Sequence, residues 1–164
     1  MRTVVGMLQP LADAADVTIE LTMRGLDEHV ACTSRSIVRV VDNLIRNSIE
    51  AIAQRADGVD APRHVTLAVE RSGASLRIAV TDTGPGFSPT LFNLDGSFQF
   101  GRTTKPAGQG IGLSLCDDVV RRLGGTLQLT NRNEGGAAVT IEVPLSAVQH
   151  RRRRDDVNAV AHDE

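Results

Sequence analysis

Residues 64–82 read HVTLAVE, RSGA, SLRIAVTD: two runs in which apolar and polar residues alternate, joined by a short segment that contains a glycine. A period of two puts alternate side chains on opposite faces of a strand, so the runs predict an antiparallel hairpin with one apolar face. A hairpin of this kind is not stable alone. Its apolar face requires a covering layer, and that requirement constrains the rest of the chain.

Residues 35–54 supply part of the cover. Ile37, Val41, Leu44, Ile45, Ser48 and Ile52 recur at helical spacing and gather on one side, after Thr33 or Ser34 as cap. Residues 1–13 read as a short helix or the tail of one, with Val4, Val5, Leu8 and Leu11 apolar, and residues 110–125 as an amphipathic helix ended by glycines. VTIELTMRG (17–25) alternates as a strand, and HVAC (29–32) reads as a short extended piece. TLQLTN and AAVTIEVPL form strands around the turn RNEGG, and QRADGVDAPR is a polar loop. Helices interleaved with antiparallel hairpins predict an α+β fold: one mixed, mainly antiparallel sheet with helices packed on a single face.

The chain of 164 residues is long enough for one domain with a sizeable core. Aromatic residues make up 2% of it, with no Trp or Tyr, so the core must be aliphatic. A net charge of −2 gives no long-range attraction for nucleic acid or an acidic membrane surface. Cys32 and Cys116 form no metal or redox spacing and predict free thiols in a reducing compartment. No apolar run approaches the ~20 residues that span a bilayer. We expect an ordered unit over residues 1–148 and a disordered tail over 149–164, where four arginines stand against four acids.

Three segments break these regular patterns. TDTGPGF (81–87) ends a strand on Asp82 and continues through Gly84 and Gly86. A carboxylate there accepts from an exocyclic amine, and glycines let a flat ring approach the backbone; an ordinary turn capped by Asp fits the same residues. GQGIGLSL (108–115) opens a helix with Gly108, Gly110 and Gly112, where exposed N–H groups and the helix dipole favour phosphate. Between them, residues 87–109 have neither period and hold all four aromatics, Phe87, Phe92, Phe98 and Phe100. A loop of that length predicts a lid that packs down on a ligand through its Phe anchors, with Thr103, Thr104 and Lys105 beside the phosphate site. GSFQFGRT (96–103) has P-loop spacing but carries Arg102 where that motif needs lysine, and no apolar strand precedes it. The long helix adds a fourth feature. Asn43, Asn47 and Glu50 share the side opposite its apolar residues. Neutral amide oxygens suit Mg²⁺, which takes one or two protein ligands plus phosphates.

In this order the segments resemble the catalytic and ATP-binding domain of sensor histidine kinases, within the GHKL superfamily that includes DNA gyrase and the anti-sigma-factor kinases. NLIRNSIEA resembles the N box, DTGPGF the first glycine box, SFQFGRTTK the F box and lid, and GQGIGLSL the second glycine box, over about residues 17–145. The resemblance implies a Bergerat fold, a two-layer α/β sandwich with a long ATP lid. It implies that Asn47 coordinates Mg²⁺, that Asp82 receives the adenine amine, and that Gly84 and Gly86 shape the base pocket. Gly108, Gly110 and Gly112 would cradle phosphates, with Lys105 and Thr104 over the terminal ones. Asn43 stands where hydrolysing relatives carry a glutamate, and an amide is no general base. Asn43, Asn47 and Lys105 would thus serve transfer rather than hydrolysis. Two departures stand out: Ala137 follows Gly136 where the family commonly has threonine, and none of His29, His64, His150 and His162 sits in a long amphipathic helix beside an acid. The implied partners are a separate helical phosphoacceptor domain and a response regulator, with the domain a cytoplasmic monomer. The alternatives are a nucleotide- or partner-binding module without transfer, and a serine kinase of the anti-sigma-factor type.

Overall fold

A computed structural model describes residues 1–26, 34–55, 62–99 and 111–149. The hairpin forms as its alternation requires. β2 (His64–Ser72) and β3 (Ser75–Asp82) pair antiparallel around Gly73, whose φ of +59° supplies the left-handed turn. β1 (Thr18–Arg24) lies on the other side of β2 and runs parallel to it. That direction follows from the connection: the chain leaves β1, passes through α2 (Arg35–Ala53) and returns at the same end. β4 (Thr126–Asn131) and β5 (Ala137–Pro144) form a second hairpin, with β5 against β3. The sheet order is β1-β2-β3-β5-β4.

The two faces of this sheet differ as sharply as the sequence alternation implies. Val65, Leu67, Val69, Leu76, Ile78, Val80, Val139, Ile141 and Val143 are buried on one face. They share a single core with Leu8 of α1 (Arg2–Ala14), Ile45, Ile49 and Ile52 of α2, and Cys116 and Val120 of α3 (Ile111–Arg122). The other face carries small and polar residues. One row across it reads Glu70, Arg77, Glu142 in register, with Arg77 Nε 4.0 Å from Glu70 Oε1. The expected α+β two-layer arrangement, helices on one face of a mixed sheet, is therefore what the chain adopts.

Local chemistry fixes where the helices begin and end. Ser34 is the N-cap of α2 and its Oγ accepts from the Ile37 N–H at 3.5 Å. After α3, Gly124 N–H donates to Arg121 O at 2.9 Å and Gly125 N–H to Val120 O at 3.0 Å, with Gly124 at φ +72°. This is a Schellman closure, which turns the chain directly into β4. A five-residue helix, α4 (Leu145–Gln149), follows β5, so regular structure extends one residue past the expected boundary at 148. The expected HVAC strand, the centre of the QRADGVDAPR loop, Cys32 and the tail from His150 lie outside the described residues. Among the described residues no helix is long and apolar enough to cross a membrane.

The core assignment has a direct consequence. Ile45→Ala should cost about 2–5 kcal/mol of unfolding free energy in equilibrium urea denaturation. Gln128→Ala, on the exposed face of β4, should change it by about 0.5 kcal/mol or less.

Candidate functional site

β3 ends on a buried carboxylate. Asp82 is 5% exposed, and a carboxylate removed from water needs partners for its lone pairs. Three elements provide them. Ser48 Oγ, on α2, donates to Oδ2 at 2.9 Å. The backbone N–H groups of Gly84 and Ala137 donate to Oδ1 at 2.9 and 3.1 Å. Oδ1 is thus filled, while Oδ2 keeps capacity for one more donor among the described residues. An exocyclic amine fits that remaining lone pair. Ala137 lacks the hydroxyl expected at its position, yet its main chain still binds the aspartate.

The backbone around Asp82 is held as firmly as its side chain. Arg132 Nη1 donates to the Asp82 carbonyl at 2.9 Å, and Arg55 Nη1, from the end of α2, donates to the Thr83 carbonyl. Gly136, at φ +94°, lies so close that a Cβ there would overlap the Asp82 carbonyl oxygen. The glycines of TDTGPGF meet protein atoms where a side chain would be. A Cβ on Gly84 would lie 3.0 Å from Asp82 Oδ1, and one on Gly86 would lie 2.7 Å from Asn131 Oδ1. Their first role is to let Asp82 and Asn131 close in.

On α2 the two asparagines are half-buried and Glu50 is exposed. Asn43 Nδ2 donates to the Gly112 carbonyl at 3.1 Å and to Cys116 Sγ at 3.3 Å, both on α3. Its Oδ1 accepts from Asn47 Nδ2 at 3.4 Å. The chain of bonds has one direction. Because Gly112 offers a carbonyl, Asn43 turns its NH₂ toward α3 and its oxygen toward Asn47. Asn47 answers with its NH₂, which leaves its own oxygen without a hydrogen bond among the described residues. Asn43 is expected at the ligand face of α2, and in the structure its donors also join that helix to the first two turns of α3. Gly112 is part of that joint, since a Cβ there would lie 3.2 Å from Asn43 Nδ2.

Asn47 Oδ1 is a neutral, half-buried carbonyl oxygen with spare capacity, the donor type that Mg²⁺ accepts in company with phosphates. No cluster of three or more His, Cys, Asp or Glu among the described residues could cage a metal. The donor set thus fits an ion brought in with its own oxygen ligands. Asn47 and Ser48 are adjacent, so one turn of α2 presents both the amide oxygen and the hydroxyl that holds Asp82.

Three of the expected anchors pack on one another. Phe87, Phe92 and Phe98 meet edge to face, with centroids 5.3–6.3 Å apart. Phe87 and Phe98 also pack against the main core. Residues 87–99 are built from a 3₁₀ turn at Pro89–Leu91 and a bridge between Phe92 and Phe98. Phe100, Thr103, Thr104, Lys105, Gly108 and Gly110 lie outside the described residues. Ser48, Arg55, Asn131 and Arg132 were not expected at the site. A serine on the apolar side of a helix is itself a signal, because a buried hydroxyl must find a partner. The other three carry no local pattern that points to β3.

Known proteins bear directly on this arrangement. Residues 32–147 match the family described as histidine kinase-, DNA gyrase B-, and HSP90-like ATPase. The chain belongs to that family. It is 33% identical over 108 residues to the sensor protein CitS of Bacillus subtilis, covering 66% of this chain and 19% of CitS. It is 29% identical over 135 residues to the sensor histidine kinase ZraS of Escherichia coli K12, covering 82% of this chain and 27% of ZraS. The chain therefore spans about a fifth to a quarter of these curated relatives. Among solved structures, the catalytic domain of histidine kinase ThkA superposes with a TM-score of 0.64 at 22% identity, over 87% of this chain and 90% of that one. Full-length ShkA, solved in complex with AMPPNP, superposes at 0.62 and 20% identity, over 87% of this chain and 28% of ShkA. These likenesses establish a shared fold.

Cys116 makes the α2–α3 joint sensitive to pH. Burial pushes its thiol above the ordinary value, opposed in part by the Asn43 amide. The folded state thus prefers the neutral thiol. The stability this gives is complete below the unfolded thiol pKa and is lost as pH rises through the folded one. Urea unfolding free energy should fall as pH rises beyond about 8.5, and Cys116→Ala should flatten that fall.

Proposed function

We propose that this chain binds Mg-ATP and donates the γ-phosphoryl group to a histidine on a separate helical phosphoacceptor domain, as the catalytic part of a two-component sensor kinase. The observation that carries the reading is the pairing on one turn of α2. Ser48 holds Asp82 with one oxygen still able to accept, and neighbouring Asn47 presents an amide oxygen that takes no hydrogen bond among the described residues. An adenine amine on Asp82 Oδ2 and a metal-bound triphosphate beside Asn47 satisfy both. Family membership supports the nucleotide, and the fold is shared with a kinase solved in complex with AMPPNP.

The chemistry asks little covalent work of the protein. Bound Mg²⁺ would neutralise phosphate charge, with Asn47 as its protein ligand. A histidine nitrogen attacks the γ-phosphorus, the bond to the β–γ bridging oxygen breaks, and its electron pair leaves with ADP. Asn43 cannot take a proton from water, and its NH₂ is committed to Gly112 and Cys116. Water is therefore a poor acceptor here, and the nucleotide waits for the histidine. Lys105, Thr104, Gly108 and Gly110 belong to the same proposal as phosphate-side residues, with Gly112 and Gly86 acting through the packing described above.

Terminally labelled ATP and the helical domain of a sensor kinase test this. Acid-labile label should pass to that domain, little phosphate should be released without it, and Asp82→Ala should abolish both binding and transfer. Bound nucleotide without transfer would support a binding module. Acid-stable label on a protein partner would support a serine kinase.

A further inference from the structure

Asn131 closes β4, and both ends of its amide are spent on one residue of the glycine turn. The Phe87 N–H donates to Oδ1 at 2.7 Å, and Nδ2 donates to the Phe87 carbonyl at 2.8 Å. A strand residue opposite Phe87 would make the same two bonds; here a side chain makes them. Gly86, at φ +77°, gives the room, since a Cβ there would meet Asn131 Oδ1. The rest of the β4–β5 turn grips the other end of the same segment. Arg132 Nη1 holds the Asp82 carbonyl, Arg132 Nη2 is steadied by Glu134 at 2.7 Å, and the Ala137 N–H holds the Asp82 carboxylate. Segment 82–87 is therefore suspended between two fixed points on one turn. Beyond the second point the Phe87 ring enters the aromatic cluster.

We propose that Asn131 is a positioning residue for base recognition. By clasping the Phe87 peptide it fixes where the chain turns away from Asp82, and so fixes the wall of the pocket against which a purine bound to Asp82 must lie. The proposal rests on reading the site as a nucleotide pocket. Asn131 makes no hydrogen bond to α2 or α3 among the described residues, so its influence should fall on the base and spare the phosphates. That asymmetry separates positioning from general support of the fold.

The test uses the full chain and competition against a fluorescent ATP analogue in Mg²⁺, with ATP and inorganic tripolyphosphate as competitors. Removing two hydrogen bonds in Asn131→Ala should weaken ATP by about tenfold. Tripolyphosphate should compete as it does with the unaltered chain. Asn131→Asp keeps the acceptor for the Phe87 N–H and loses the donor, so its loss should be intermediate; it also serves if the alanine variant does not fold. Amide hydrogen exchange at Phe87 should quicken in both variants. Unchanged ATP affinity, or equal weakening of both competitors, would overturn the role given to Asn131 and leave the pocket standing. An unaltered chain that binds tripolyphosphate but not ATP would overturn the base pocket itself.

Discussion

A carboxylate sealed from water must be met on several sides at once, and Asp82 is where the elements of this fold are made to agree. Its two oxygens take a hydroxyl from α2, an N–H from the glycine turn and an N–H from β5. Any one of these elements could shift only by leaving a buried polar atom unpaired, at a cost of about 1–3 kcal/mol. The packing of helix on sheet and the registry of the second hairpin are thus coupled through one side chain. Among the described residues the same arithmetic leaves one acceptor position of Asp82 Oδ2 unfilled, and on the proposed reading that position receives the donor of the base.

A second polar chain runs from the Gly112 carbonyl through Asn43 to Asn47. It joins the helix that would follow the phosphate loop to the helix that would face the metal. Asn43 is the joint of this chain of bonds. It sets the polarity of Asn47 by hydrogen-bond direction, and it commits its own donors to Gly112 and Cys116. The commitment of the Asn43 donors and the orientation of the Asn47 amide oxygen then have one cause.

Much of this was legible in the sequence, because periodicity reports burial. The strand alternation at 64–82 and the apolar side of 35–54 located the sheet face, its cover and the core, and Asp82 and Asn47 stood out as polar interruptions of apolar elements. What stayed hidden depends on contacts between distant segments. Nothing near Asn131 or Arg132 announces a grip on Phe87 and Asp82, since an Asn before a glycine-rich turn reads equally as a turn former. Ser48 was counted with the apolar residues, though its hydroxyl ties helix to sheet. Composition shows that rings are concentrated in 87–109, but not that three of them meet one another.

The most direct examination of this account is a crystal structure of the chain with Mg²⁺ and a non-hydrolysable ATP analogue. The account predicts the adenine amine within about 2.7–3.2 Å of Asp82 Oδ2, Ser48 still bonded to that oxygen, and the Asn47 amide oxygen facing the metal. A base seated elsewhere, with Asp82 Oδ2 bonded only within the protein and Asn47 turned from the phosphates, would contradict it.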